Sequence, residues 1–157
     1  MQNRKTYTVE EAQKALEHYC AYQERCHKEV IRKLQDMHMI PEAIEMIVAR
    51  LIQDNYLNET RFAKAFVRGK FVNKKWGKNR LVNELKQRDI STYNINLALK
   101  QIEDSDYHHT LDDLARKRLK VIKETNIWKK RKKLSDYLLY RGWEPHLVFE
   151  KVNELIP

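Results

Sequence analysis

The chain repeats itself, and the repeat limits the folds open to it. Residues 34–41, LQDMHMIP, line up with residues 85–92, LKQRDIST, 51 positions on, and again with residues 138–145, LLYRGWEP, a further 53 positions on. The apolar positions keep step: Val30 with Leu81 and Leu134, Ile44 with Ile95 and Val148, Val48 with Leu99 and Val152, Leu51 with Ile102 and Leu155. A fixed period of this size is the signature of a tandem array, in which each unit buries its apolar face mainly against its neighbours.

Within a unit the apolar spacing is helical throughout. The first helix of each unit should stop near His38, Asp89 or Gly142, where a left-handed C′ residue is accommodated most easily by Gly and with more strain by Asp or His. The next helix should begin near Pro41, Thr92 or Pro145, because Pro in a first turn loses no needed N–H. Ser91 can cap the middle one, Asn58 a later helix, and Thr8 with Glu11 forms a capping box at the first. Phe62-Ala63 matches Leu114-Ala115 in a third helix of the first two units.

Three Gly and three Pro in 157 residues are too few for the turns of a β-protein. The expected fold is therefore all-α, an elongated, curved tandem array of three-helix repeats with about nine helices. The boundaries read as a leading helix at 1–24, three-helix repeats at 25–73 and 74–124, and a two-helix repeat at 125–157. One large globular bundle is the alternative.

Charge follows the same period. Lys+Arg number 31 and Asp+Glu 22, a net +9. Residues 64–88 hold nine Lys or Arg against Glu84, and residues 116–133 hold ten against Glu124. Between them, Glu103, Asp104, Asp106, Asp112 and Asp113 meet no Lys or Arg. In the boundaries above, both basic clusters fall where one unit passes into the next. Like charges at helical spacing repel, so such density points to an anionic partner, nucleic acid or an acidic protein surface. Phosphate contacts would bring steep salt dependence without sequence specificity.

Other residues carry less. Trp143 replaces Met39 and Ile90 in the alignment and reads as core. Trp76 and Trp128 sit beside lysines; packing between units is the favoured reading for both, base stacking the rival. Cys20 and Cys26 have no second pair to complete a zinc site or a disulfide framework. His108 and His109 are adjacent and cannot chelate from one helix face, and no phosphate loop or nucleophile elbow is present. Gly69 interrupts a helix, as a bend or a tolerated surface glycine. No cofactor, metal or catalytic residue is expected. Neither a membrane span nor an N-terminal secretory signal is readable, so a cytoplasmic protein is the expectation; a monomer is expected as well.

The ordered motifs resemble the RecX family. Residues 56–67, YLNETRFAKAFV, are similar to its Y-L-[DN]-D-x-R-F-A-x-x-[FY]-V, and residues 75–90, KWGKNRLVNELKQRDI, to its G-x-x-x-[IL]-x-x-E-L-x-x-K-G-I. LLYRGW at 138–143 resembles the closing L-x-R-R-G-[FY], and residues 15–34 resemble the opening stretch. Cys26 or His27 stands in place of a usual capping Ser or Thr, Asp89 in place of Gly, and Gly69 in place of a polar residue.

The resemblance implies a non-catalytic regulator that binds RecA recombinase filaments on single-stranded DNA. It would mostly inhibit their ATPase, strand exchange and stability, in homologous recombination, DNA repair and the SOS response. Its contacts would be Lys70, Lys74, Lys75, Lys78, Arg80, Lys129, Lys130, Arg131, Lys132 and Lys133, facing RecA acids, single-stranded DNA and, secondarily, double-stranded DNA. The alternative is a helix-turn-helix DNA-binding protein independent of RecA. Against it, the second helices of the units, at 41–55, 92–103 and 145–156, are neutral to acidic.

Overall fold

The computed structural model describes residues 6–157. Among them are nine α-helices and no strand: α1 (Val9–Tyr22), α2 (His27–Asp36), α3 (Pro41–Gln53), α4 (Glu59–Lys74), α5 (Lys78–Gln87), α6 (Thr92–Leu99), α7 (Asp104–Val121), α8 (Ile127–Tyr140) and α9 (Pro145–Leu155). Residues 1–5 of the expected leading helix lie outside the described residues.

The caps form as the side-chain chemistry dictates. Thr8 accepts from the Glu11 amide while the Glu11 carboxylate accepts from Thr8 N–H. Asn58 and Ser91 accept from the amides of Arg61 and Asn94. Cys26 heads α2 with Glu29 reaching back to its amide at 3.3 Å, which supplies the half of a capping box that the missing Ser or Thr leaves intact. The three aligned turns all turn left-handed at the expected residue: His38 at φ 61°, Asp89 at φ 59° and Gly142 at φ 94°.

The unit boundaries differ from the expected ones by one helix. α4 packs along α6 and against α5, α1 and α2 both pack on α3, and α7 packs on α8 and α9. The units are thus α1–α3, α4–α6 and α7–α9, three helices each, in place of a leading helix followed by repeats at 25–73, 74–124 and 125–157. The reason is physical: an alignment gives the period, but the phase is decided by which neighbour a helix buries its face against. Ala12, Ala63 and Ala115 occupy one position of this common first helix, all completely buried, and Leu16 pairs with Val67 in the same way.

The cores divide unevenly. Units two and three share one apolar cluster running from Phe62 to Ile156, while unit one has its own around Leu16, Leu34, Ile47 and Leu51. Cys26 is the exception, a residue of unit one that is fully buried in the cluster of units two and three. It stands at the position of Gly77 in the next unit, 51 residues on.

The joint between units two and three is made of backbone. Gly77 N–H donates to the Arg141 carbonyl at 2.8 Å and Asn79 N–H to the Gly142 carbonyl at 2.9 Å. Lys78 N–H donates to the Tyr107 hydroxyl at 2.8 Å. These are amides at the start of α5, which have no partner inside the helix and no capping side chain on Gly77. The third unit therefore caps a helix of the second. Trp143, fully buried as expected, donates its indole N–H to the Lys75 carbonyl at 3.1 Å. Its ring lies 4.5 Å from that of Tyr107.

The Tyr107 hydroxyl also donates to the Glu144 carboxylate, and burial together with that carboxylate raises its pKa far above the ordinary phenol. Tyr107→Phe leaves the Lys78 amide and the Glu144 carboxylate without this partner. It should lower stability by about 1–3 kcal/mol in urea unfolding. A loss below about 0.5 kcal/mol would mean that the hydroxyl is dispensable to the joint.

Candidate nucleic-acid interface

The basic residues follow from helix geometry. Five consecutive basic residues, 129–133, advance about 100° each around α8 and cannot face one partner together. Arg131 turns inward and donates to the Ile156 carbonyl at 2.8 Å, tying α8 to the end of α9. Lys132 pairs with Asp136 at 2.7 Å and Lys133 with Glu124 at 3.3 Å. Glu124, helped by the Asn126 amide and by Lys133, is held below the usual carboxylate range and stays charged. Lys129 is exposed and Lys130 half-buried. Among the described residues, neither has a carboxylate at ion-pair distance.

The first cluster also splits. Lys70 and Arg88 line a cleft against Glu24 and Glu29 of unit one, with Lys70 over the rings of Phe66 and Trp76 at 5.7 and 5.2 Å. Lys78 lies over the Tyr107 ring at 4.5 Å and borders a depression with Glu103 and Asp104. Arg80 is pinned between two rings, 4.2 Å from Trp76 and 5.1 Å from Tyr140. Lys74 and Lys75 keep exposed side chains because only their backbone is engaged: the carbonyl of Lys74 accepts from Arg141 at 2.5 Å and that of Lys75 from Trp143.

The clusters do not lie at matching unit boundaries, as the sequence suggested. Each sits at the turn between the first and second helix of its own unit. The joint nevertheless brings them together, because the α4–α5 turn docks on unit three. Lys75 then shares a shallow groove with Lys117, Arg118, Val121 and Tyr137, and the groove continues past Lys123 to Lys133 and Tyr140.

Five basic or aromatic residues of this groove, Lys117, Arg118, Lys123, Tyr137 and Tyr140, escaped the sequence-based choice of contacts. Tyr140 carried a signal: it aligns with Asp36 and Gln87, so an aromatic stands where both other units are polar. Trp76 is half-buried and packs on Phe66 of its own unit at 6.2 Å. Trp128 is 74% exposed, which overturns packing between units for that residue.

Elsewhere the chemistry is quiet. Cys20 and Cys26 are free and buried; burial raises both thiols, Cys26 to about 11, which disfavours the nucleophilic thiolate. Among the described residues no three His, Cys, Asp or Glu side chains converge as metal ligands, and no helix is long and apolar enough to cross a membrane.

Comparison with known proteins adds to this geometry. Residues 58–99 match the family model of the RecX second three-helix domain, and residues 105–152 that of the RecX third three-helix domain. Both spans fit the unit boundaries drawn from packing. A regulatory protein RecX of Chlorobium phaeobacteroides is 33% identical over 132 residues, 84% of this chain and 85% of that protein. A regulatory protein RecX of Oceanobacillus iheyensis is 22% identical over 88% of this chain, which spans only 51% of that longer protein. The crystal structure of RecX from Lactobacillus salivarius superposes with TM-score 0.80 at 23% identity, covering 94% of this chain and 96% of that one. A second RecX crystal structure gives the same score at 20% identity. The two crystal structures speak for the fold alone.

Proposed function

Because the chain belongs to the RecX family of regulatory proteins, we propose that it is a non-catalytic regulator of RecA. In this reading it binds RecA filaments on single-stranded DNA in the cytoplasm, as a monomer, and restrains their ATPase, strand exchange and stability. The observation that carries the proposal is a set of exposed lysines without carboxylate partners, Lys74, Lys75 and Lys129 foremost, beside exposed aromatic rings on a RecX fold. An array of stacked units offers a long surface suited to lying along a polymer.

Helix-turn-helix readout of duplex DNA fits the molecule less well. The last helix of each unit carries little positive charge: α3 has Glu42 and Glu45 against Arg50, α6 has no charged residue, and α9 has Glu150 and Glu154 against Lys151. Lys151 is moreover occupied, bonded to both Asp112 and Glu154 at 2.9 Å. A recognition helix needs free side chains aimed at base edges.

The test is a RecA ATPase titration on single-stranded DNA. The wild-type protein should suppress turnover well below the concentration that coats bare DNA. Reversing Lys74, Lys75, Lys129 and Lys130 together to Glu should raise the concentration needed at least tenfold, with helical circular dichroism unchanged. Full inhibition by the reversed variant at moderate salt would reject these contacts, and inactivity of excess wild-type protein would reject the RecA reading itself.

A further inference from the structure

We propose that the groove between the end of α7 and the outer face of α8 holds an unpaired nucleic-acid strand, with one base stacked on Tyr140. This deepens the filament reading by assigning the strand, rather than RecA, to this groove; its test is made without RecA.

The argument starts from an exposure that folding does not explain. Tyr140 is 77% exposed, although it closes a helix whose inner positions Leu134 and Leu138 are fully buried. Its ring is nevertheless held. The Arg80 guanidinium lies 5.1 Å from the Tyr140 centroid and 4.2 Å from that of Trp76, and donates to the Tyr140 carbonyl at 3.4 Å. Trp76, Arg80 and Tyr140 thus form a short ladder of alternating ring and cation that ends on an exposed ring. A base added to Tyr140 extends that ladder, and the entropy of fixing the ring has already been met by the protein's own contacts.

The groove beside it has the charge for a backbone. Its lining carries Lys75, Lys117, Arg118, Lys123 and Lys133 against Asp113 and Asp136. Both acids are occupied, Asp113 by Lys117 at 3.0 Å and Asp136 by Lys132 at 2.7 Å. Among the described residues, no carboxylate lies at ion-pair distance from Lys75, Arg118 or Lys123. Arg118 is held over the half-buried Tyr137 ring at 4.4 Å, which leaves its N–H groups for phosphate oxygens.

An acidic protein surface would use the same cations but has no need of an exposed ring backed by a guanidinium. Duplex DNA keeps its base faces stacked inside the helix, out of reach of Tyr140. The combination of a positive channel with a ring platform at its end selects unpaired bases.

The experiment measures binding of fluorescent oligo(dT), oligo(U) and a duplex of equal length by the intact protein over a range of salt, in the absence of RecA. Tyr140→Ala should weaken oligo(dT) binding about tenfold, within the span that one base–aromatic stack contributes, and leave the salt slope unchanged. Tyr140→Phe should bind as wild type. Lys123→Gln should lower the salt slope by about 0.7. Binding to oligo(U) equal to that for oligo(dT) supports stacking on either sugar; weak binding to oligo(U) beside tight binding to oligo(dT) supports a strand site selective for DNA.

Wild-type affinity in Tyr140→Ala, or duplex bound as tightly as oligo(dT), overturns the assignment. Tyr140→Ala removes an exposed ring, and its thermal midpoint, expected near wild type, separates loss of binding from loss of fold.

Discussion

Trp143→Ala is expected to cost about 3–5 kcal/mol, the range for removing a large buried aromatic from a core. The whole side chain is inside the cluster shared by units two and three. Two losses add to the cavity. The Lys75 carbonyl loses the indole N–H that donates to it at 3.1 Å, and Tyr107 loses the ring packed 4.5 Å away. Since Tyr107 in turn accepts from the Lys78 amide, the start of α5 loosens with it. Urea unfolding followed by circular dichroism measures the effect, and a cost under about 1 kcal/mol would show that the joint does not depend on the indole.

Gly142→Ala should be nearly as severe, for a steric rather than an apolar reason. A Cβ at this position would lie 2.2 Å from Arg80 Cβ and 2.4 Å from Arg80 N, both at the root of a neighbouring helix and so unable to swing aside. The backbone is at φ 94°, where an L side chain is strained. Strain of about 1–3 kcal/mol and overpacking of about 1–3 kcal/mol give a total of roughly 2–6 kcal/mol. The relief available is for α5 to back away, which breaks the bonds from Gly77 and Asn79 to the α8–α9 turn. Hydrogen exchange at those two amides should accelerate along with the loss in thermal stability. Unchanged exchange would mean that the turns do not meet this closely.

Much of this was legible in the sequence. The three left-handed turns at His38, Asp89 and Gly142, the caps at Thr8, Asn58 and Ser91, and the burial of Trp143 all follow from local chemistry repeated at one period. The phase of the units was not, although Ala12 standing 51 residues before Ala63 marks α1 as a full member of the series. Local rules say where helices start and stop; which helix a given face is buried against is settled by long-range packing.

The candidate interface was half legible for a related reason. Charge density marked the region, but a run such as 129–133 wraps around its helix, so adjacency in sequence scatters side chains in space. Arg131 ended on the α9 backbone and Arg80 between two rings, each holding the structure rather than facing solvent. The groove sets Arg118 and Tyr140 of unit three side by side through the packing of α7 on α8, and the joint adds Lys75 from unit two.

That joint also sets how compliance is distributed along the molecule. Units two and three are fused by main-chain bonds and one continuous core, and neither can tilt without breaking both. Units one and two are linked more by side chains: Arg61 to Glu24 at 2.6 Å, and Lys28 to the Gln87 carbonyl at 2.9 Å, around the single buried Cys26. Long polar side chains tolerate small rotations that a backbone ladder does not. A protein built this way has a stiff two-unit body and an adjustable first unit, so any change in the course of its long surface is concentrated at one articulation instead of being spread along the array.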